Sequence, residues 1–347
     1  MRVSPADRIP VAVLTGFLGS GKTTLLARLL RHPDFSRTAV IINEFGEVGL
    51  DHDLVEASEE SFVTLQTGCL CCTVRGDLVL TLEDILRRRD ERSVTAFERV
   101  VIETSGLADP APILHALMGD TSLAQRLAIA GVVTTVDAVN GTATLERYPE
   151  SVKQVAVADR LVLTKTDLLA GPEDRSGIAS RLSRLNGEAS ILEASFGAIE
   201  PARLFDTGAD ALGSGARSPI VPPRPDSDHA HEAHPHRHDQ EIAYFAIVRD
   251  TPIRAVALTL LLEALAEHCG GDLLRLKGLV NIAESPDRPA VVHGVQHVFH
   301  PPAWLDRWPS DDRRTRLVFI VRDIPRSWVD ALLAAIEAEV DEVAKRL

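Results

Sequence analysis

No apolar stretch in this sequence reaches the roughly 18 to 20 residues that cross a bilayer. An export signal is not in the pattern either: Met1 to Pro10 carries Arg2, Asp7 and Arg8 and so lacks an uninterrupted apolar core. Positive charge is in deficit, with 37 Lys and Arg against 50 Asp and Glu and a formal net charge of -13. Affinity for a polyanion comes from neutralising phosphates with clustered cations, so nucleic acid is not an expected partner. Cysteine is scarce: of four, Cys69, Cys71 and Cys72 fall within four positions and Cys269 stands far away. That distribution cannot build a disulfide framework and suits a metal site in a reducing compartment. These absences together give the expectation of a cytoplasmic protein with no membrane partner.

The 347 residues suffice for two domains, and the apolar and charged fractions are those of a globular chain. From Val11 to about Leu192, short β-branched runs alternate with segments whose apolar residues recur at helical spacing. The pattern predicts an α/β domain with a mostly parallel sheet covered by helices. Its strands are expected at Val11 to Thr15, Thr38 to Asn43, Arg99 to Glu103, Gly131 to Asp137, Arg160 to Thr164 and near Ser190 to Glu193. Helices between them include Lys22 to Leu30, Asp77 to Arg89 and Ala111 to Leu117. Between about Gly208 and Gln240 the composition turns to Gly, Ser, Pro, Asp and His, which cannot bury a core and reads as an exposed linker. Beyond it lie an expected strand Ile242 to Val248, helix Ile253 to His268, strands near Leu273 to Ile282, Ala290 to Phe299 and Arg316 to Val321, and a helix from Pro325. The organisation is thus a first domain over 1–207, a linker over 208–240 and a smaller C-terminal α+β domain over 241–347.

Gly16-Phe17-Leu18-Gly19-Ser20-Gly21-Lys22-Thr23-Thr24 follows a strand and opens a helix, matching G-x-x-x-x-G-K-[ST] in spelling and in context. The glycines let the backbone amides turn inward, and the first helical turn adds its unpaired N–H groups and positive dipole end. Lys22 offers a point charge to the β and γ phosphates, and the Thr23 hydroxyl can ligate Mg²⁺. An acidic group near the magnesium is expected at the end of a neighbouring strand, and Val100-Val101-Ile102-Glu103 supplies it. Gly106, after Thr104 and Ser105, is placed to bring its amide to the γ-phosphate as a sensor. The strand Leu161 to Leu163 runs into Thr164-Lys165-Thr166-Asp167. There the carboxylate of Asp167 can accept from the ring N–H and exocyclic amine of guanine, donors that adenine does not present together. Thr164 departs from the usual Asn-Lys-x-Asp spelling, so guanine selection rests on Asp167 and on Lys165 over the base.

Gly68-Cys69-Leu70-Cys71-Cys72 gathers three thiols just upstream of the helix expected near Asp77. In extended backbone Cys69 and Cys71 share a face, and Cys72 joins them through a turn. Thiolates suit Zn²⁺, Cu⁺ and, with suitable geometry, Co²⁺; three local ligands leave a tetrahedral ion with one open position, as a transferable ion needs. Packing cysteines or a redox pair are the other readings. In Asn43-Glu44-Phe45-Gly46-Glu47, after the second strand, Glu44 or Glu47 could approach magnesium or position water, and a solvated acidic loop is the alternative. His229, His231, His234, His236 and His238 can gather metal at modest affinity or be incidental to a polar linker. Cys269, His293, His297 and His300 read as structural or exposed.

Taken together, the phosphate loop, Glu103-Thr104-Ser105-Gly106, Thr164-Lys165-Thr166-Asp167 and Gly68-Cys69-Leu70-Cys71-Cys72 make the sequence closely resemble the CobW family of P-loop GTPases, which includes zinc and cobalt metallochaperones. The resemblance extends over nearly the whole chain, with Leu276-Lys277-Gly278 in its C-terminal part. It implies a P-loop NTPase fold, a cytoplasmic GTP hydrolase using Mg²⁺, a cargo ion of zinc or cobalt on the cysteine motif, and delivery to a client metalloprotein. Pairing of two copies across the nucleotide is implied as well. The rival functions are a GTPase that activates one metalloenzyme by protein contact and a metal-buffering protein.

Overall fold

The computed structural model describes residues 8–44, 62–66, 73–169, 171–194, 198–205 and 242–346. Strands β1 (Ile9–Gly16), β2 (Thr38–Glu44), β3 (Phe62–Gln66), β4 (Arg99–Thr104), β5 (Leu127–Asp137), β6 (Arg160–Thr164) and β7 (Ser190–Ala194) form one sheet in the order β3-β2-β4-β1-β5-β6-β7. Every pairing is parallel, so the mostly parallel sheet expected from the pattern is parallel throughout. A parallel sheet with helices on its faces buries its central strands on both sides, which is why β1 and β4 read as near-continuous apolar runs. Val11, Val13, Leu14, Val100, Val101 and Ile102 are all fully buried.

Helices α1 (Lys22–Leu29), α2 (Thr73–Asp90), α3 (Ala111–Gly119), α4 (Thr121–Arg126), α5 (Gly141–Arg147), α6 (Pro149–Ala156), α7 (Pro172–Leu185) and α8 (Pro201–Phe205) connect or flank the strands. Leu25, Leu26 and Leu29 of α1 pack with Leu14, Val40 and Phe35, while Leu145, Val155, Ile178 and Leu182 of α5, α6 and α7 pack under β5 and β6. The chain proceeds from β1 outward to β2 on one side and later to β5, β6 and β7 on the other. That reversal opens a crevice at the carboxyl ends of β4, β1 and β5, the place where such sheets bind ligands.

Several boundaries differ from the sequence expectation: the strand expected over Ala290 to Phe299 is an antiparallel pair, Ala290–Val295 and Val298–Phe299, and two differences in the first domain have a plain physical reason. Strand β5 begins at Leu127, four residues before Gly131. Gly131 has φ 150°, and the β1–β5 pairing shifts register between Val11 and Ala12, so what reads as a break is a bulge within one strand. Helix α2 begins at Thr73, not near Asp77, which puts Cys72 directly before its first residue. Thr73, Val74 and Gly76 have weak helix propensity, and the rest of the helix overrides it.

One buried polar side chain ties the far end of α6 to the α7–β7 connection. The Asn186 side-chain amide donates to the carbonyls of Val155, Ala156 and Ala158 at 2.8, 3.2 and 2.9 Å. Its oxygen accepts the amides of Glu188 and Ala189 at 3.2 and 3.1 Å.

The chain divides into two compact units, Met1–Ala211 and Leu212–Leu347. In the second, β8 (Ile242–Arg249), β9 (Leu273–Val280), β10 (Ala290–Val295), β11 (Val298–Phe299) and β13 (Thr315–Arg322) form an antiparallel sheet in the order β11-β10-β9-β13-β8, with β12 (Ala303–Trp304) paired to β10. Helices α9 (Ala255–Cys269) and α10 (Arg326–Arg346) cover one face and share a core with Leu276, Leu317 and Phe319. Cys269 is buried there, and burial pushes its thiol pKa up. No helix among the described residues is long and apolar enough to cross a membrane.

Candidate functional site

The loop after β1 is shaped by residues that cannot carry a β-carbon. Gly16 has φ 143°, and a methyl group there would lie 2.5 Å from the Thr135 carbonyl and 2.7 Å from Ser20 Oγ. Gly19 and Gly21 have φ 72° and 89°, in the left-handed region that glycine enters freely. The Ser20 amide donates to the Phe17 carbonyl at 3.1 Å and closes the turn. Gly21 then caps α1 without any side-chain hydrogen bond, so the first amides of that helix are left for an anion.

Lys22 is nine-tenths buried, and its ammonium donates to the carbonyls of Gly16 at 2.8 Å and Phe17 at 3.3 Å. Its charge is therefore already held inside the loop. Thr23 Oγ1 donates to Glu103 Oε1 at 3.3 Å, bringing the hydroxyl and the carboxylate that the sequence singles out onto one spot. The sheet makes this meeting possible, because Leu14 of β1 lies opposite Glu103 of β4. Ser20 Oγ and Thr135 Oγ1 are 2.6 Å apart, which fastens the loop to β5, and Thr104 Oγ1 donates to Thr15 Oγ1 at 2.7 Å, which fastens the end of β1 to β4.

Gly106 lies against the loop from the other side, where a β-carbon would come within 2.8 Å of the Leu18 amide nitrogen. Thr164, where the base-reading motif departs from its usual spelling, is buried and donates to the Ser20 carbonyl at 2.7 Å. It fastens β6 to the loop after β1. Lys165 takes φ 56° at the start of the turn Thr166–Leu168, and Asp167 stands exposed on that turn.

Asp137, at the end of β5, was not singled out in the sequence. Its Oδ1 accepts the amides of Val139 and Asn140 at 2.8 and 3.1 Å; its Oδ2 accepts Asn140 Nδ2 at 3.1 Å and Lys165 Nζ at 2.7 Å. Burial pushes this carboxyl's pKa up, but the hydrogen bonds from Lys165 and Asn140 and the two amides outweigh it and hold the group below its ordinary value. The available signal was positional: Asp137 ends a strand beside β1 just as Glu103 does. Phe17, Ser20, Thr135, Asp137, Gln154 and Lys165 are among the residues lining a cavity of about 210 Å³ beside the loop.

The remaining candidates fall elsewhere. Glu44 is the last residue of β2, opposite Gln66 of β3 and one residue past the Asn43–Thr104 pair, with only its backbone described. Glu47, the thiols of Cys69, Cys71 and Cys72, and His229, His231, His234, His236 and His238 lie outside the described residues. Gln66 and Thr73, which bracket the cysteine motif in the sequence, are the end of β3 and the start of α2. Among the described residues no three His, Cys, Asp or Glu side chains gather as a metal-binding group.

The chain is similar to known proteins. A family model described as CobW/HypB/UreG, nucleotide-binding domain, matches residues 10–193, and one described as Cobalamin synthesis protein cobW C-terminal domain matches residues 242–337. The chain is 33% identical over 328 residues to the zinc chaperone YjiA of Escherichia coli, covering 94% of this chain and 98% of that protein. It is 35% identical over 204 residues to the zinc-regulated GTPase metalloprotein activator 1 of Schizosaccharomyces pombe, a match over 57% of this chain and 48% of the other. The crystal structure of Zn(II)-bound YjiA GTPase from E. coli aligns with a TM-score of 0.68 at 27% identity, covering 95% of this chain and 99% of that one.

Proposed function

We propose, from the premise that this chain belongs to the CobW/HypB/UreG family of P-loop GTPases, that it is a GTP-dependent metallochaperone. In this reading it carries a transition-metal ion in the cytosol, zinc first and cobalt next, on Cys69, Cys71 and Cys72. GTP hydrolysis is coupled to handing that ion to a client metalloprotein. The observation that carries the nucleotide half is a glycine loop that holds Lys22 on its own carbonyls beside a meeting of Thr23 Oγ1 and Glu103 Oε1 3.3 Å apart. The name of the E. coli relative, a zinc chaperone matched over nearly its whole length, supports the metal half.

A hydroxyl beside a carboxylate is a hard-oxygen donor pair and fits Mg²⁺. Thr23 and Glu103 would hold that ion, which supplies charge neutralisation on the β and γ phosphates. The backbone amides of Gly19, Gly21 and Thr24 and the Lys22 ammonium take the phosphate oxygens. Lys165 lies along the base, and Asp167 accepts its two N–H donors. Gly106, packed on the Leu18 amide, registers whether a γ-phosphate is present. Water attacks the γ-phosphorus and the bond to the β-phosphate oxygen breaks, giving GDP and phosphate; Glu44 is the candidate to orient that water.

For GTP and GDP to swing metal occupancy from nearly full to nearly empty, metal affinity must differ about 10⁴-fold between the two states, about 5.5 kcal/mol. Reciprocity then requires the metal to strengthen the preference for GTP over GDP by the same factor. The deciding experiment titrates the reduced protein with Zn²⁺ and with Co²⁺ in Mg²⁺ and GTP, GDP or ATP, alongside Cys71→Ser. Equal metal affinity in GTP and GDP, or unchanged retention in Cys71→Ser, removes the cargo role. Guanosine triphosphate turnover that is abolished by Lys22→Ala excludes a pure buffering protein.

A second reading, activation of one metalloenzyme by protein contact, is favoured by the name of the S. pombe relative. It predicts client activation that survives Cys71→Ser. Leu18, Leu107 and Leu168, each more than half exposed at the carboxyl edge of the sheet, give that edge an apolar rim. A second copy pairing across the nucleotide would cover it, and sedimentation in GTP against GDP reads the change in mass.

A further inference from the structure

The segment after Glu103 is gripped from behind by a helix that carries no residue of the nucleotide motifs. The turn Ser105 to Ala108 closes through the Ala108 amide on the Ser105 carbonyl at 3.1 Å. Gln154 of α6, 1% exposed, donates through its side-chain nitrogen to the carbonyls of Gly106 at 3.2 Å and Ala108 at 3.0 Å. The neighbouring Lys153 pairs with Asp109 at 2.9 Å. One turn of α6 thus holds the whole stretch that follows the Glu103 strand. Thr134 Oγ1 in turn donates to the Gln154 carbonyl at 2.8 Å, fastening that point of α6 to β5.

Two carbonyls facing one amide decide its orientation, because only the NH₂ end can serve both. The Gln154 oxygen is therefore turned away from the turn. It is buried and has no hydrogen-bond partner among the described residues, and Gln154 lines the cavity beside the phosphate loop. A buried acceptor left unsatisfied is a cost that an apolar side chain of the same size would avoid. What Gln154 gives in return is the two bonds that set how the Gly106 turn faces the loop.

We propose that Gln154 is a positioning residue for triphosphate recognition: it sets the Ser105–Ala108 turn in the pose from which Gly106 meets the γ-phosphate, and it links that event to α6. The inference rests on the reading of the nucleotide site given above. Nothing in it requires Gln154 to touch the nucleotide. Its removal should therefore leave diphosphate binding alone and weaken the discrimination between the two nucleotides.

The test measures affinity of the full chain for GDP and for a non-hydrolysable GTP analogue in Mg²⁺, with kcat and KM for GTP. Gln154→Leu is expected to bind GDP within about twofold of the parent while its preference for the analogue falls about tenfold, with the loss in kcat larger than the change in KM. Gln154→Met, closer in shape, gives the same result if the leucine variant does not fold. Thr134→Val removes the fastening of α6 but not the grip on the turn, and is expected to lower thermal stability without changing the preference. An unchanged preference in both Gln154 variants, or an equal loss for GDP and analogue, overturns the inference. If the parent protein itself binds neither nucleotide, the nucleotide-site reading falls first and the inference with it.

Discussion

Replacing Asp137 by Asn keeps the size of the side chain and removes its charge, and the structure says which bonds survive. Asn retains one oxygen, enough to accept the amides of Val139 and Asn140. The other end becomes an NH₂ facing two donors, Lys165 Nζ and Asn140 Nδ2, which it cannot accept. The lysine is 37% exposed against 11% for the aspartate, so solvent screens the ion pair and its loss costs about 1 kcal/mol. Opposed donors add about another 0.5 kcal/mol, by analogy with a neutral hydrogen bond lost. A total of about 1.5 kcal/mol in a unit of this size lowers Tm by about 5 °C.

The pH dependence has a definite sign. Asp137 has a pKa below its ordinary value of 3.8 in the folded chain, so its contribution is full above that value and is lost as pH falls through the folded pKa. Urea midpoints of the parent and Asp137→Asn should differ by a constant amount from pH 8 to pH 5 and converge below about pH 4. Guanine nucleotide affinity should fall with stability, since Lys165 loses the partner that holds it in place. A variant as stable as the parent at pH 7, or a deficit that widens on acidification, would refute the reasoning.

Gly16→Ala should be severe: its φ of 143° costs a side chain about 1 to 3 kcal/mol, and the Thr135 carbonyl 2.5 Å from the new methyl can move only by breaking the β1–β5 ladder. The expected readout is loss of nucleotide binding with a Tm drop of about 10 °C or more, and Thr135→Ala should not rescue it because the carbonyl remains. In the second unit, hydrogen bonds from Arg314 hold Asp312 down to about 2, against burial, with Arg316 adding its charge. Asp312→Asn should lose about 1 kcal/mol at neutral pH, and the loss should vanish as pH falls from 3.8 to about 2.

Much of this was written in the sequence because it follows from local spelling and period. The phosphate loop, the Glu103 strand and the alternation of apolar runs with helical spacing specify both the sheet and the edge proposed for the nucleotide. What escaped is what depends on distant neighbours. Strand β3 is five residues, Phe62–Gln66, a short β-prone run beside acidic and polar positions, and its place as the sheet's edge partner of β2 shows only in the fold. Thr164 stands out in the sequence only as a departure from the usual spelling, and the hold of its hydroxyl on Ser20 shows only in the fold. Gln154 looks in the sequence like any solvent-facing glutamine of an amphipathic helix. Its burial appears only when the Gly106 turn, 48 positions earlier, comes to rest on it.

Asn186 precedes Gly187, the pairing in which an asparagine most readily ages, its side-chain nitrogen lost as ammonia when the following amide attacks the side-chain carbon. In the folded chain five hydrogen bonds hold that side chain still and keep the attack from being reached. The same bonds make the damage hard to tolerate once done, since a carboxylate there would face the oxygens of Val155, Ala156 and Ala158. Long exposure to denaturant should therefore produce molecules that no longer refold, carrying a one-dalton gain at this residue by peptide mass spectrometry, while protein stored folded stays unchanged at Asn186. The fold shelters this labile link, and every excursion out of the native state starts a chemical clock there.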